Sequence, residues 1–208
     1  MKKLLLTSSG LSNTEISQEF LNLIRKPVKE ITVLFVPTAS RSENELFYVE
    51  KAKQQLLSLG ILKENIINFS EDSPVYQEQN FDTIIVCGGN SFYLLSKLKE
   101  TKYFDFFNKK VNDGVTYVGI SAGSVIATQN ISYINGLDLN DCELKDVKAF
   151  GWIDGLLVPH YNEDTEMKDY VESLRKERKQ LYLLTNEQAI KIVGNKKIIV
   201  GKIDKIKC

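Results

Sequence analysis

The stretch that most constrains this chain is the apolar run 115–120, which leads directly into Ser121-Ala122-Gly123-Ser124. The run, rich in β-branched and aromatic residues, predicts a buried strand, and Val125-Ile126-Ala127 predicts the start of a helix. Between them Gly119, Ser121 and Gly123 fit G-x-S-x-G, a serine on a tight strand-to-helix turn. A Cβ at either glycine would clash where the two backbones approach. The turn lifts the Ser121 hydroxyl out of the sheet. It also sets the Ala122 N–H at a helix N-terminus, where developing negative charge is favoured. Small residues can also do no more than pack a strand–helix corner. The remainder of the chain ranks the nucleophile reading ahead.

The flanking segments alternate in period. Apolar runs at 4–7, 31–36, 66–69 and 83–87 read as strands; 15–24, 43–59, 103–111 and a segment that begins at Gly88-Gly89-Asn90-Ser91, with Phe92, Leu94, Leu95 and Leu98 as its buried face, carry apolar residues at helical spacing. Three further runs, 181–184, 189–193 and 197–203, read as strands, with the last two a hairpin across Gly194-Asn195. Residues 165–179 form a charged helix and 135–148 a polar, acidic loop over one face. This alternation predicts an α/β fold: a three-layer, doubly wound, mostly parallel sheet with helices on both faces and a C-terminal β-hairpin, one domain over 1–208.

Composition removes several function classes. Lys+Arg and Asp+Glu are equal at 27 each, so no basic field draws nucleic acid or anionic lipid. The apolar run after Met1-Lys2-Lys3 ends at Thr7, too early for a signal peptide, and no stretch spans a bilayer. The expectation is a cytoplasmic protein with no membrane or nucleic-acid partner. Cys87, Cys142 and Cys208 are widely spaced, with no C-x-x-C pair, which argues against disulfides and a zinc site. Cys87, inside an apolar strand, is expected to be structural. There is one histidine, His160, so a multi-histidine metal centre is excluded and any Ser–His chemistry must use this residue. No metal or cofactor is expected.

In an open parallel sheet, ligands bind at the carboxyl ends of strands. Three predicted strands end on chemically useful residues: Gly88-Gly89-Asn90, Ser121 and, after Leu156-Leu157-Val158-Pro159, His160. Serine is a weak nucleophile without a base, and an imidazole titrates in the required range. Gly88-Gly89 can bring a backbone N–H to an oxyanion, or can form a phosphate-binding turn before a helix.

The set G-G-N-S-F (88–92), G-I-S-A-G-S (119–124) and P-H-Y (159–161) resembles the peptidase E family. These are aspartyl dipeptidase and cyanophycinase-like serine peptidases with a class I glutamine amidotransferase-like fold. The similarity runs in order from the first strand to the closing hairpin. The resemblance implies Ser121 as nucleophile, His160 as base, and the amides of Gly89 and Ala122 as oxyanion hole. It also implies cleavage of dipeptides or short peptides, typically with an N-terminal aspartate. Asn90, Ser91, Ser124 and Tyr161, which belong to the same motifs, are the expected substrate contacts. Arg41 and Lys148 are candidate cations for an acidic side chain.

The chain departs from the family at the third triad position. The family's acidic residue falls in Leu184-Thr185-Asn186-Glu187-Gln188, where Asn186 aligns and Glu187 lies beside it. Asp138, in the loop after the nucleophile helix, is a third candidate. An asparagine can orient imidazole through its side-chain oxygen, with less stabilisation of the imidazolium than a carboxylate gives. Two other readings remain: an inactive amidotransferase-like domain that binds a small ligand, and an α/β-hydrolase esterase. The esterase fits less well, because its histidine lies near the C-terminus. The sequence leaves open whether the chain forms a homodimer.

Overall fold

The computed structural model describes residues 1–70, 79–177 and 179–201. Cys208 and positions 202–203 of the last expected strand lie outside them, as does position 178 of the charged helix.

A seven-stranded sheet is built from β1 (Lys3–Thr7), β2 (Val33–Val36), β3 (Ile66–Asn68), β4 (Thr83–Val86), β5 (Thr116–Ile120), β8 (Ala189–Val193) and β9 (Lys196–Val200). Its order is β3-β2-β4-β5-β1-β8-β9. The five strands from β3 to β1 are parallel, while β8 runs antiparallel to β1 and closes the hairpin with β9.

The four inner parallel strands, β1, β2, β4 and β5, are buried on both sides because both faces are covered, while the edge strand β3 ends on an exposed Asn68. Leu4, Leu6, Leu34, Val36, Ile84, Val86 and Tyr117 join one core; Leu5, Val33, Phe35, Ile85, Cys87 and Val118 join the other. The first core packs under α3 (Ser91–Glu100) and α4 (Tyr103–Asn112), through Phe92, Leu95, Phe107 and Val111. The second packs under α1 (Thr14–Ile24) and α2 (Glu43–Ser58), through Ile16, Phe20, Ala52 and Leu56. Helix starts follow their caps: Asn13 accepts from the Ile16 amide, Ser42 and Glu45 form a capping box, and Asn90 accepts from the Tyr93 amide.

Two expectations change. β6 (Leu156–Val158), which delivers His160, does not join the main sheet; it pairs in parallel with β7 (Leu181–Leu183) in a separate two-stranded sheet. The helix after Ser121 is a single turn, α5 (Ala122–Val125). The charged helix appears as α6 (Thr165–Arg175). The acidic loop is fastened over the start of α3: Asn90 Nδ2 donates to the Leu139 carbonyl, and the Ser91 amide donates to Asp138. Cys87 is buried, and burial pushes its thiol pKa up, as a structural cysteine requires. No described helix is long and apolar enough to cross a membrane.

The elbow depends on two glycines. A Cβ on Gly119 would lie 2.6 Å from the Gly123 carbonyl oxygen, and one on Gly123 would lie 2.3 Å from that of Val86 in the adjacent strand. Gly123→Ala is therefore expected to cost about 1–3 kcal/mol. In thermal denaturation this is a fall in Tm of about 2–4 °C per kcal/mol; an unchanged Tm would show that the close approach tolerates a methyl group.

Candidate active site

Ser121 sits between β5 and α5 with φ 49° and ψ −109°, a strained combination for a side-chain-bearing residue. The surroundings hold it there. Its amide donates to the Thr7 carbonyl (2.9 Å), extending the β1–β5 ladder by one residue. Below it, Ser124 Oγ accepts from the Thr7 amide (2.9 Å) and lies 2.8 Å from the carbonyl oxygens of Thr7 and Gly119. Ser124 is fully buried. The expected substrate contact is thus a clamp between strands, because one turn after Ser121 the side chain faces back into the sheet.

His160 also takes a positive φ, 56°, just past the end of β6. Its Nε2 lies 2.9 Å from Ser121 Oγ, although the two residues come from different sheets. Its Nδ1 lies 2.6 Å from Asn186 Oδ1. An amide oxygen only accepts, so Nδ1 carries the proton and Nε2 is left to accept from the serine hydroxyl. The chain Asn186–His160–Ser121 can therefore draw a proton from Oγ as that oxygen attacks an electrophile.

Of the three candidates for the orienting position, only Asn186 reaches the imidazole. Glu187 meets its neighbours through its backbone, whose carbonyl accepts from Asn13 Nδ2, and its side chain makes no hydrogen bond to His160. Asp138 makes no hydrogen bond to the imidazole; it lines a different cavity at the Ser–His pair from the one Asn186 lines, and its carboxylate accepts from the Ser91 amide at 2.8 Å. Burial there raises its pKa and Glu45 adds to the rise, while Ser91 and His160 pull the other way.

A set of fasteners escaped the sequence reading. Ser9 Oγ donates to Asn186 Oδ1 (2.9 Å), and Ser12 Oγ donates to the Asn186 carbonyl (2.9 Å). Ser8 Oγ accepts from the His160 amide (3.1 Å) and donates to the Leu184 carbonyl (2.9 Å). One loop, leaving β1, thus holds both the imidazole and the group behind it. The available signal was a serine cluster at the carboxyl end of the strand beside β5.

Gly89 lies in the loop after β4, next to Gly88, where an added Cβ would lie 3.1 Å from Ser121 Cβ. The Gly89 φ is 128°, and a Cβ on Gly89 would lie 2.1 Å from the Ala39 carbonyl oxygen, so only glycine fits. Among the described residues, neither the Gly89 amide nor the Ala122 amide donates to a backbone acceptor. Both residues line cavities that Ser121 also lines.

The remaining expected contacts serve other ends. Asn90 is spent on the α3 cap and the Leu139 carbonyl. Ser91 lines the smaller cavity beside Ser121. Arg41 pairs with Asp141 (2.8 Å) and lies over the Tyr93 ring, so its charge is already answered. Lys148 and Tyr161 line neither cavity at Ser121; the Tyr161 amide donates to the Leu184 carbonyl.

A family model, Peptidase family S51, matches residues 4–200. An uncharacterised peptidase of Listeria monocytogenes is 36% identical, over 98% of this chain and all of that one. Peptidase E of a Nostoc species is 27% identical, over 97% of this chain and 89% of its own. A crystal structure of a candidate peptidase E from Listeria monocytogenes superposes with a TM-score of 0.81 at 33% identity, covering 97% and 99% of the two chains. A peptidase structure from an actinobacterium (20% identity, TM-score 0.67) shares the fold.

The geometry ranks the three orienting candidates. In the rate at which a fluorophosphonate labels Ser121, Asn186→Ala is expected to cost about 100-fold or more. Ser9→Ala should cost about threefold to tenfold, the worth of one neutral hydrogen bond, and Glu187→Ala should stay near the wild-type rate. A Glu187→Ala loss equal to that of Asn186→Ala would overturn the assignment.

Proposed function

The chain belongs to peptidase family S51, the serine-type peptidases that include peptidase E, and on that footing we propose that it hydrolyses dipeptides or short peptides through an acyl-enzyme on Ser121. The observation that carries this reading is the 2.9 Å contact between His160 Nε2 and Ser121 Oγ at the strained elbow. His160 accepts the Oγ proton as Oγ adds to the scissile carbonyl, then delivers it to the departing amine. The amides of Gly89 and Ala122 are the donors for the tetrahedral oxyanion. Water, activated by the same imidazole, then releases the acyl group. Asn186 fixes the imidazole tautomer throughout, without adding a negative charge.

Substrate size follows from the space beside Ser121. The larger cleft, about 320 Å³, is lined by Glu45, Tyr48, Lys51 and Gln55 of α2 on one side and by Ser121, His160 and Asn186 on the other. It holds about one residue beyond the scissile bond and offers no extended groove for a folded protein.

Ser121→Ala and His160→Ala are each expected to lose about a thousandfold or more in turnover, and the double variant little beyond either, since members of one catalytic unit are non-additive. Undiminished hydrolysis by His160→Ala would sink the mechanism. Asn186→Asp supplies a carboxylate that stabilises the imidazolium. The acidic limb of its kcat/KM profile is therefore expected to move to higher pH, because the base loses its proton later; an unmoved or lowered limb would contradict the hydrogen bond from Nδ1.

A further inference from the structure

A second cavity, about 180 Å³, also borders the Ser121–His160 pair and is lined by Ala122, Val125, Ile134, Leu137, Asp138 and Met167, among others. Away from Ser91, Asp138 and the Ser121–His160 pair its walls are apolar. Its one carboxylate, Asp138, forms no ion pair, and among the described residues no lysine or arginine lines the cavity. Asp138 Oδ2 accepts from the Ser91 amide at 2.8 Å, and Ser91 and His160 both favour its ionised form. A half-buried carboxylate among apolar walls, with no lysine or arginine beside it, is costly unless a ligand supplies positive charge.

The larger cleft carries charges of both signs. Glu45 there already accepts from the Arg41 amide and from the amide and hydroxyl of Ser42. Lys51 lines the same cleft with no ion pair among the described residues. The two cavities at Ser121 therefore differ in charge: one holds a carboxylate with no lysine or arginine, the other a lysine and a glutamate together. A dipeptide carries an ammonium one carbon from the scissile carbonyl, which suits the first, and a carboxylate at the far end, for which Lys51 is the available cation.

We propose that the Asp138 cavity receives the first residue of the peptide, with the Asp138 carboxylate holding its α-ammonium group and the apolar walls selecting a neutral, apolar side chain rather than an acidic one. The proposal rests on the peptidase reading and narrows its substrate class. An aspartate side chain in this cavity would lose its hydration, face no lysine or arginine, and lie beside a second carboxylate. A blocked amino terminus would leave Asp138 unanswered, which makes the chain an exopeptidase by electrostatics as well as by size.

The test compares Leu-Ala, its des-amino analogue isocaproyl-Ala, and Asp-Ala, each followed by release of alanine. In the wild type, kcat/KM for Leu-Ala is expected to exceed that for isocaproyl-Ala by about 10–100-fold, the worth of a hydrogen bond between charged groups, and to exceed that for Asp-Ala. Asp138→Asn, which still accepts from the Ser91 amide, should cost Leu-Ala about 10–100-fold more than it costs isocaproyl-Ala. A merely structural or imidazole-orienting role would lower both rates equally, and that result would overturn the proposal. So would equal wild-type rates on Leu-Ala and isocaproyl-Ala, or a preference for Asp-Ala. If the wild type cleaves none of the three, the peptidase reading fails, and calorimetry still decides the anchor. Tighter binding of Leu-Ala than isocaproyl-Ala to Ser121→Ala, lost in Ser121→Ala with Asp138→Asn, supports it; equal affinities overturn it.

Discussion

The contact on which the structure depends is between bare backbones. Gly123 lies against the Val86 carbonyl and Gly119 against the turn that follows Ser121, distances at which no side chain fits. The approach lets a strand reverse into a helix within one residue and leaves Ser121 in a conformation it would not adopt alone. The surrounding hydrogen bonds over-determine that conformation. The Ser121 amide is held by Thr7, the Ser124 hydroxyl bridges the same residue, and the Tyr117 hydroxyl donates to the Gly123 carbonyl at 2.6 Å. Strain at a functional residue persists where neighbours leave it no alternative.

Much of this was legible in the sequence because it was local. Apolar runs and helical spacing located the main strands and helices, and the two elbow glycines announced a close approach before any contact was known. What was not legible depended on long-range pairing. Leu156-Leu157-Val158 is three buried apolar residues, a pattern that suits a strand in any sheet, so nothing in it said that β6 pairs with β7 alone. Ser124 and Asn90 sit in the motifs as if to meet a substrate, yet a short polar side chain beside a motif can equally serve the backbone, and here both do. Arg41 looked like a free cation only because its partner, Asp141, is 100 residues away.

The neutral residue behind the imidazole shows geometry overruling chemical preference. Glu187 offers the better charge for an imidazolium, but the turn directs Asn186 to the ring, and neighbouring residues on such a turn cannot share one position. The neutral amide is compensated by how firmly it is held. Its carbonyl oxygen takes a second hydrogen bond from Ser9, and its backbone is tied to Ser12. The loop that leaves β1 thereby links the main sheet to the small one, joining the elements that deliver nucleophile and base.

That the chain carries a single imidazole has a consequence for observation. Every imidazole carbon-bound proton signal in an NMR spectrum of this protein originates at the position beside Ser121. The protein thus contains its own unlabelled reporter of ligand arrival, acylation and proton transfer, free of assignment ambiguity.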